Sequence, residues 1–211
     1  GRSEPLGVVA MSATMDADRI ADHLGATAIA CTGRVFSVEL EHQLRPDRDT
    51  LDVRVAKAVR QLCRDGLDGH VLVFLPSVRE IERAQARLQA VARDEHLELC
   101  PLHGSLSADE QDRALAPSER RKVIIATNIA ETSLTIDGVV AVIDSGLANV
   151  ATHDPASQRS RLAERPISQA SATQRSGRAG RTRPGRCIRL YTAGDLGRRP
   201  AHDTPDIERV D

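Results

Sequence analysis

The sequence has almost no aromatic side chains: there is no tryptophan, and Phe36, Phe74 and Tyr191 are the whole complement. Reading single-stranded nucleic acid by stacking bases on rings takes several of them, so that mode is excluded. Lysine is as scarce, with Lys57 and Lys122 alone against abundant arginine, a bias that a GC-rich genome explains. The cysteines Cys31, Cys63, Cys100 and Cys187 include no C-x-x-C pair. That removes a zinc site or a disulfide framework, no metal ligand is expected, and the thiols read as buried groups of a cytoplasmic protein. No apolar run approaches the roughly 18 residues of a membrane span and no signal-peptide pattern opens the chain, so no membrane partner is expected. A G-x-x-x-x-G-K-[ST] loop is missing too, and with it the cradle that holds the phosphates of a bound nucleotide.

What is there is enough for one sizeable core, with 40% of 211 residues apolar, and a formal charge of -1 that is no polycation. Affinity for an anion must therefore come from local clustering. The stretch "TQRSGRAGRTRPGR", 173–186, supplies it with Arg175, Arg178, Arg181, Arg183 and Arg186, and no acid occurs from Arg165 to Gly194.

Uninterrupted apolar runs recur at "GVVAM" (7–11), "VLVFL" (71–75), "KVIIAT" (122–127), "VVAVID" (139–144) and "CIRLYT" (187–192). Strands buried on both faces of a parallel sheet have this pattern. Helical stretches lie between them, announced by Ser77 with Glu80 and by Ser107 with Glu110, pairs that read as capping boxes. Val78, Ile81, Ala84, Leu88 and Val91 then mark one helix stripe. The alternation predicts an α/β fold with a doubly wound, mostly parallel sheet, which binds ligands beyond the carboxyl ends of its strands. From Ala148 to Ile167 the period changes around Asp154 and Pro155, which predicts an inserted β-hairpin.

A helix over 171–182, capped by Ser171 and Gln174, would stack Gln174, Arg178 and Arg181 on one face at i, i+4 and i+7, with Arg175 pointing elsewhere. Gly177 and Gly180 cost roughly 1 kcal/mol each relative to alanine in a helix. A merely solvated helix gains nothing from them, whereas close approach of a backbone or ligand requires them. Two guanidiniums and an amide near a helix N-terminus would clamp a polyphosphate.

The motifs "MSATMD" (11–16), "VLVFLPS" (71–77), "LHGSLS" (102–107), "ATNIAETSLTIDGV" (126–139), "VIDSGL" (142–147) and "QRSGRAGRTRPG" (174–185) stand in one order along nearly the whole chain. In order and spacing they resemble the second RecA-like domain of DEAH-box helicases of superfamily two. "ISQAS" before the arginine motif and "HDTPDI" near the end are similar to a bacterial branch of that family.

The resemblance implies a domain organisation: 1–14 as strand and coupling motif from a missing first motor domain, with Gly1 to Ser3 as cloning residues, 15–195 as the second RecA-like domain, and 196–211 as an exit toward further domains. It implies Ser12 and Thr14 as coupling residues, and Gly104, Ser105, Thr127 and Asn128 as holders of a strand backbone, which carries little sequence information. It implies Asp137 and Thr132 as nucleotide contacts, Arg178 and Arg181 as arginine fingers, and Gln174 as the residue placing the attacking water. The implied cofactor is ATP with Mg2+, held mainly by the missing domain. The implied partner is single-stranded RNA, with DNA as the alternative, and a binding module without hydrolysis is the competing function. A hairpin at 148–167 is thought in the family to help split duplex. Relatives carry an adenine-stacking aromatic where this sequence has Leu115, which implies relaxed base selectivity. "DEHL" (94–97) lacks the DEAH box's place at a strand end and reads as structural.

Overall fold

The computed structural model describes residues 7–11, 17–29, 36–132, 134–154 and 159–203. It divides into two units, Gly1–Gly33 and Arg34–Asp211. In the first, α1 spans Ala17–Leu24. The run "GVVAM" forms no strand, and Val8, Val9 and Met11 are exposed. A strand needs a neighbour to pair with, and these residues have none among the described ones. Ser12 and Thr14 lie outside the described residues.

The second unit holds a six-stranded sheet, with β1 (Val38–His42), β2 (His70–Phe74), β3 (Glu98–Leu102), β4 (Lys122–Ala126), β5 (Val139–Asp144) and β8 (Gly185–Arg189) in the order β1-β8-β5-β2-β4-β3. Every pairing is parallel, so all carboxyl ends meet at one edge. The central strands β4 and β5 are buried at every position, as uninterrupted apolar runs require. Neither edge strand stands among the uninterrupted apolar runs. β1, "VELEH", is half exposed, and β3, "ELCPL", carries Pro101, which an edge strand tolerates. Strand β8 begins two residues before the apolar run and stops at Arg189.

One face is covered by α2 (Leu51–Arg64) and α3 (Val78–Asp94), whose Val55, Val59, Leu62, Ile81 and Leu88 pack on Val71, Val73 and Ile143. Each fully buried side chain of this size contributes about 1.5–3 kcal/mol. Ser77 caps α3 by accepting from the Glu80 amide at 3.3 Å, but the reciprocal half is replaced because Glu80 pairs with Arg83 at 2.8 Å. "DEHL" joins the end of α3 to β3, with His96 at a φ of 53°. The opposite face is covered by α4 (Ala108–Leu115), the four-residue α5 (Ile129–Thr132), and a 3-10 turn at Arg178–Gly180. Ser107 and Glu110 form the complete capping box of α4, and Lys122 closes its other end by donating to the carbonyls of Arg113, Ala114 and Ala116. Leu115 is half buried against this apolar cluster.

The inserted hairpin is present as β6 (Leu147–Asp154) and β7 (Arg159–Pro166), antiparallel and separate from the main sheet. It leads into α6 (Gln169–Gly177); α7 (Ala193–Gly197) follows β8. Cys63, Cys100 and Cys187 are unpaired, and burial pushes the Cys100 thiol up to about 11 and the Cys187 thiol up to about 12. Among the described residues no helix is long and apolar enough to cross a membrane.

Candidate functional site

The helix expected over 171–182 is shorter and starts earlier. Ser168 is the cap of α6, accepting from the Ser171 amide at 3.1 Å, so Ser171 lies inside the helix and forms no box with Gln174. The first amides of α6 are also occupied, since Gln169 and Ala170 donate to the carbonyls of Pro200 and Ala201 at 3.0 Å each. An N-terminus whose amides are spent on its own chain cannot clamp a phosphate. Helix α6 ends at Gly177, and Arg178 continues into the tighter 3-10 turn. Three residues per turn replace 3.6 there, so the i, i+4, i+7 alignment of Gln174, Arg178 and Arg181 does not continue as one α-helical stripe.

The arginines of this run go to different surroundings. Arg175 is fully buried, its Nε on Glu131 at 2.9 Å and its Nη1 on Asp144 at 2.9 Å, with the guanidinium 4.7 Å over the Phe74 ring. Burial works against its charge, and the Asp144 and Glu131 carboxylates outweigh that, holding its pKa above the ordinary arginine value. Asp144 also accepts from the Tyr191 hydroxyl at 2.7 Å, and Glu131 from Ser171 Oγ at 2.6 Å. Burial first and the Asp144 charge second push the Tyr191 phenol upward. Arg186 pairs with Glu41 and Asp65 at the amino end of the sheet.

Arg178 and Arg181 form no ion pair among the described residues. Arg178 is buried and donates to the carbonyls of Glu131 and Leu134, its Nε at 3.0 Å from Glu131 O. Burial, and then the like charge of Arg181, push its pKa down to about 10. Arg181 is exposed and Gln174 is half buried. The two glycines also part ways. A Cβ on Gly180 would meet the Phe36 carbonyl oxygen at 2.6 Å, whereas one on Gly177 meets nothing within 4 Å.

The other candidates lie at opposite ends of the sheet. Gly104 and Ser105 follow β3, Thr127 and Asn128 follow the adjacent β4, and the Thr127 amide donates to Leu102 O at 3.2 Å, so these four share the carboxyl end. Gly104, Ser105 and Asn128 are exposed and Thr127 is half buried. Asp137 is exposed at the opposite end, beside Gly138, whose carbonyl accepts from the first amide of β2 at 2.8 Å. Five-residue strands separate the two ends by roughly 17 Å. Thr132 closes α5, its side chain outside what is described. Sequence reading missed Glu131 and Asp144, the two acids that pair with Arg175, though both stand inside quoted motifs.

A domain with a parallel sheet, polar loops at successive strand ends, and two unpaired arginines on its thin face fits one established model. The chain belongs to the helicase conserved C-terminal domain family, whose model matches residues 54–183. Within it the likeness is to the HrpB branch: the chain is 41% identical over 214 residues to the ATP-dependent RNA helicase HrpB of Escherichia coli strain K12, covering 100% of this chain and 26% of that protein. It is 38% identical over 212 residues to an ATP-dependent RNA helicase HrpA homolog of Haemophilus influenzae, covering 99% of this chain and 16% of the relative. Two crystal structures of E. coli HrpB match with TM-scores of 0.81 and 0.82 at 41% identity, covering 93% of this chain and 24% and 25% of theirs. The chain thus spans about a quarter or less of the length of these relatives.

Proposed function

We propose that this domain is the second motor half of an ATP-dependent RNA helicase, completing a nucleotide site on a first RecA-like domain and holding the backbone of a single strand. The observation that carries the reading is the adjacency of Arg178 and Arg181, two guanidiniums without a carboxylate partner among the described residues, in a run whose Arg175 and Arg186 are paired. A desolvated cation depressed by its neighbour's like charge gains from a polyanion that neutralises both. The residues present fit the terminal phosphate of ATP: Arg178 and Arg181 would bear on it, Gln174 would orient water, and Asp137 and Thr132 would lie toward the nucleoside. Bound ATP with Mg2+ supplies the phosphoryl group, and its cradle belongs to the first domain, since this chain has no phosphate loop.

Gly104, Ser105, Thr127 and Asn128 would grip phosphates and sugars at the carboxyl end, while the hairpin stands beside the emerging strand. The exposed, strandless "GVVAM" with Ser12 and Thr14 fits a connection from the first domain's sheet. The half-buried Leu115 offers no ring to a base, which fits relaxed base selectivity.

ATP turnover of the full-length protein with matched RNA and DNA strands tests the reading. Arg181→Ala lowers turnover by roughly 10³ with ATP affinity kept within severalfold, the size of effect an arginine finger has. Arg178→Ala does the same. The isolated 211-residue chain hydrolyses no ATP above background. Robust turnover by that chain, or an Arg181→Ala enzyme of undiminished rate, overturns the half-site. Strand binding by a full-length protein without any ATPase makes it a binding module instead.

A further inference from the structure

We propose that Arg199 is a positioning residue that fixes the direction of the β6–β7 hairpin on the domain. The inference rests on the motor reading above, in which the hairpin stands beside the emerging strand, and concerns what holds it at one angle.

The hairpin is a two-stranded ribbon that shares no pairing with the main sheet. Such a ribbon is marginally stable by itself, so its direction must come from what it stands on. The apolar footing is small: Ala148 and Ile167 meet Ala172 of α6, with Leu196 against them. Beside that footing lies a cavity of about 200 Å³, lined by Ala148, Val150 and Pro166 of the hairpin and by Asn128 and Ser171 of the domain. Empty space supplies no contacts to resist a tilt toward it.

Arg199 occupies the fork where both strands leave the domain. Gly146 precedes β6 and Ile167 follows β7, and the Ile167 amide joins the two by donating to Gly146 O at 3.0 Å. Arg199 Nη1 donates to Gly146 O at 2.8 Å and to Ile167 O at 3.4 Å, so one nitrogen holds both roots. The guanidinium is itself held in place. Its Nε donates to Asp195 at 3.1 Å, and its carbon lies 4.2 Å over the Tyr191 ring, whose hydroxyl donates to Asp144 at 2.7 Å at the end of β5. The side chain is only 7% exposed, and shielding from water strengthens these bonds. Gly146, with a φ of 74°, admits the arrangement, because a Cβ there would meet the Tyr191 ring and, at 2.9 Å, Arg199 Nη1. The main chain of Arg199 holds the start of α6, its carbonyl accepting from Gln169 Nε2 at 2.8 Å. Hairpin root, sheet end and helix start therefore meet at one residue.

A residue that merely stabilised the fold would lower every activity together, so the informative readout is the split between two activities. The full-length protein is assayed for ATP turnover on saturating single-stranded RNA and for separation of an RNA duplex that carries single-stranded tails. Arg199→Ala is expected to lower the duplex separated per ATP hydrolysed by about fivefold, the size of effect of residues that act without touching a ligand. ATP turnover stays within about twofold of wild type, because the arginine run and the strand-end loops are untouched. In the same protein the Ile167 amide exchanges its hydrogen about tenfold faster, since the root loses the bonds that close it, while the amides of β4 are unchanged. Arg199→Lys keeps a charge for Asp195 but lacks the planar fork, and lowers the yield per ATP by about twofold.

An unchanged yield per ATP, whether both rates fall by one factor or neither falls, overturns the proposal and leaves Arg199 a structural residue, as does an Ile167 amide that exchanges no faster than in wild type. If the Arg199→Ala protein does not fold, Arg199→Lys decides alone: a lowered yield supports the positioning role and an unchanged one overturns it. Wild-type protein that turns over ATP on RNA yet separates no duplex would sink the helicase reading beneath the proposal, a result distinct from a yield that the variants leave intact.

Discussion

On one face of the sheet, helices of 14 and 17 residues bury Val55, Leu62, Ile81 and Leu88, and their one buried acid, Asp52, sits at a helix start and pairs with the exposed Arg87; on the other, an eight-residue helix, a four-residue helix and a 3-10 turn enclose Arg175, Asp144 and Arg178. Long amphipathic helices bury enough apolar area to hold themselves down. Segments of one or two turns do not, and here charge-assisted bonds between distant elements do that work. The difference also sorts function. Apolar packing has one arrangement, whereas a face joined by a few directional bonds can shift between discrete ones, and that face carries the candidate site.

The largest stability effect expected from this contrast is Arg175→Ala. Removing the guanidinium strands Asp144 and Glu131 without their countercharge, which costs about 3–5 kcal/mol. Arg175→Lys recovers little, because a point charge cannot address Glu131, Asp144 and the Leu147 carbonyl together as the planar fork does. On the opposite face Leu88→Ala costs about 2–5 kcal/mol through transfer and cavity terms. Urea unfolding of the 211-residue chain measures both. An Arg175→Ala chain within 1 kcal/mol of wild type would show that the thin face is held by something other than its ions, and the contrast would fail.

Legibility in the sequence follows the same division. The central strands could be read because burial on both faces writes an uninterrupted apolar run, and β5 has the expected bounds. The edge strands could not, since pairing on one side only leaves "VELEH" looking like any polar stretch. Helix α3 could be read from its stripe and its cap. The arginine run could not be sorted, because what makes Arg175 a core residue is Glu131, 44 positions away, and Asp144, 31 positions away. Periodicity carries no information about such partners. Ser168 and Ser171 are equally plausible caps locally, and the choice between them is completed by Pro200 and Ala201, which come from beyond β8. The loops after β3 and β4 do emerge together at the carboxyl end, because a parallel sheet fixes where each loop emerges once its strand is known, whereas the loop expected after "GVVAM" follows no strand.

The paired glycines sharpen the contrast at a smaller scale. Gly180 is in helical backbone with the Phe36 carbonyl and Val38 Cγ2 against it, so Gly180→Ala forces a backbone shift and costs about 1–3 kcal/mol. Gly177 has a φ of -60° and open space, so Gly177→Ala raises stability by about 0.4–1 kcal/mol. Melting of the two variants gives shifts of opposite sign. In the full-length enzyme Gly177→Ala distinguishes a surface kept bare for a ligand, where turnover falls despite the added stability, from one that is only open.

The smallest effect is a pH dependence outside the apolar face altogether. His70 begins β2 with its Nδ1 accepting from the Lys122 amide at 3.1 Å, and burial, then the Lys122 charge, lower its pKa against a weaker pull from Glu98. His42 ends β1 with its Nε2 3.2 Å from Arg189, and burial, then the Arg189 charge, lower its pKa against the backbone hydrogen bond with Tyr191. Between each folded value and the ordinary histidine value of about 6.5, the unfolded chain binds more protons than the folded one, so stability rises with pH across that window. It is fully present above the window and is lost as pH falls through it. Asp47, Asp52 and Glu110 are shifted below ordinary carboxylate values and so act further down, their contribution lost only as pH falls through those lower values. Urea midpoints taken from pH 7 down to pH 5 should therefore decline in wild type. They should decline less in His70→Asn and in His42→Asn, and stay nearly flat in the double variant. A double variant that keeps the wild-type slope would place the titrating groups elsewhere and free both ends of the sheet from histidine control.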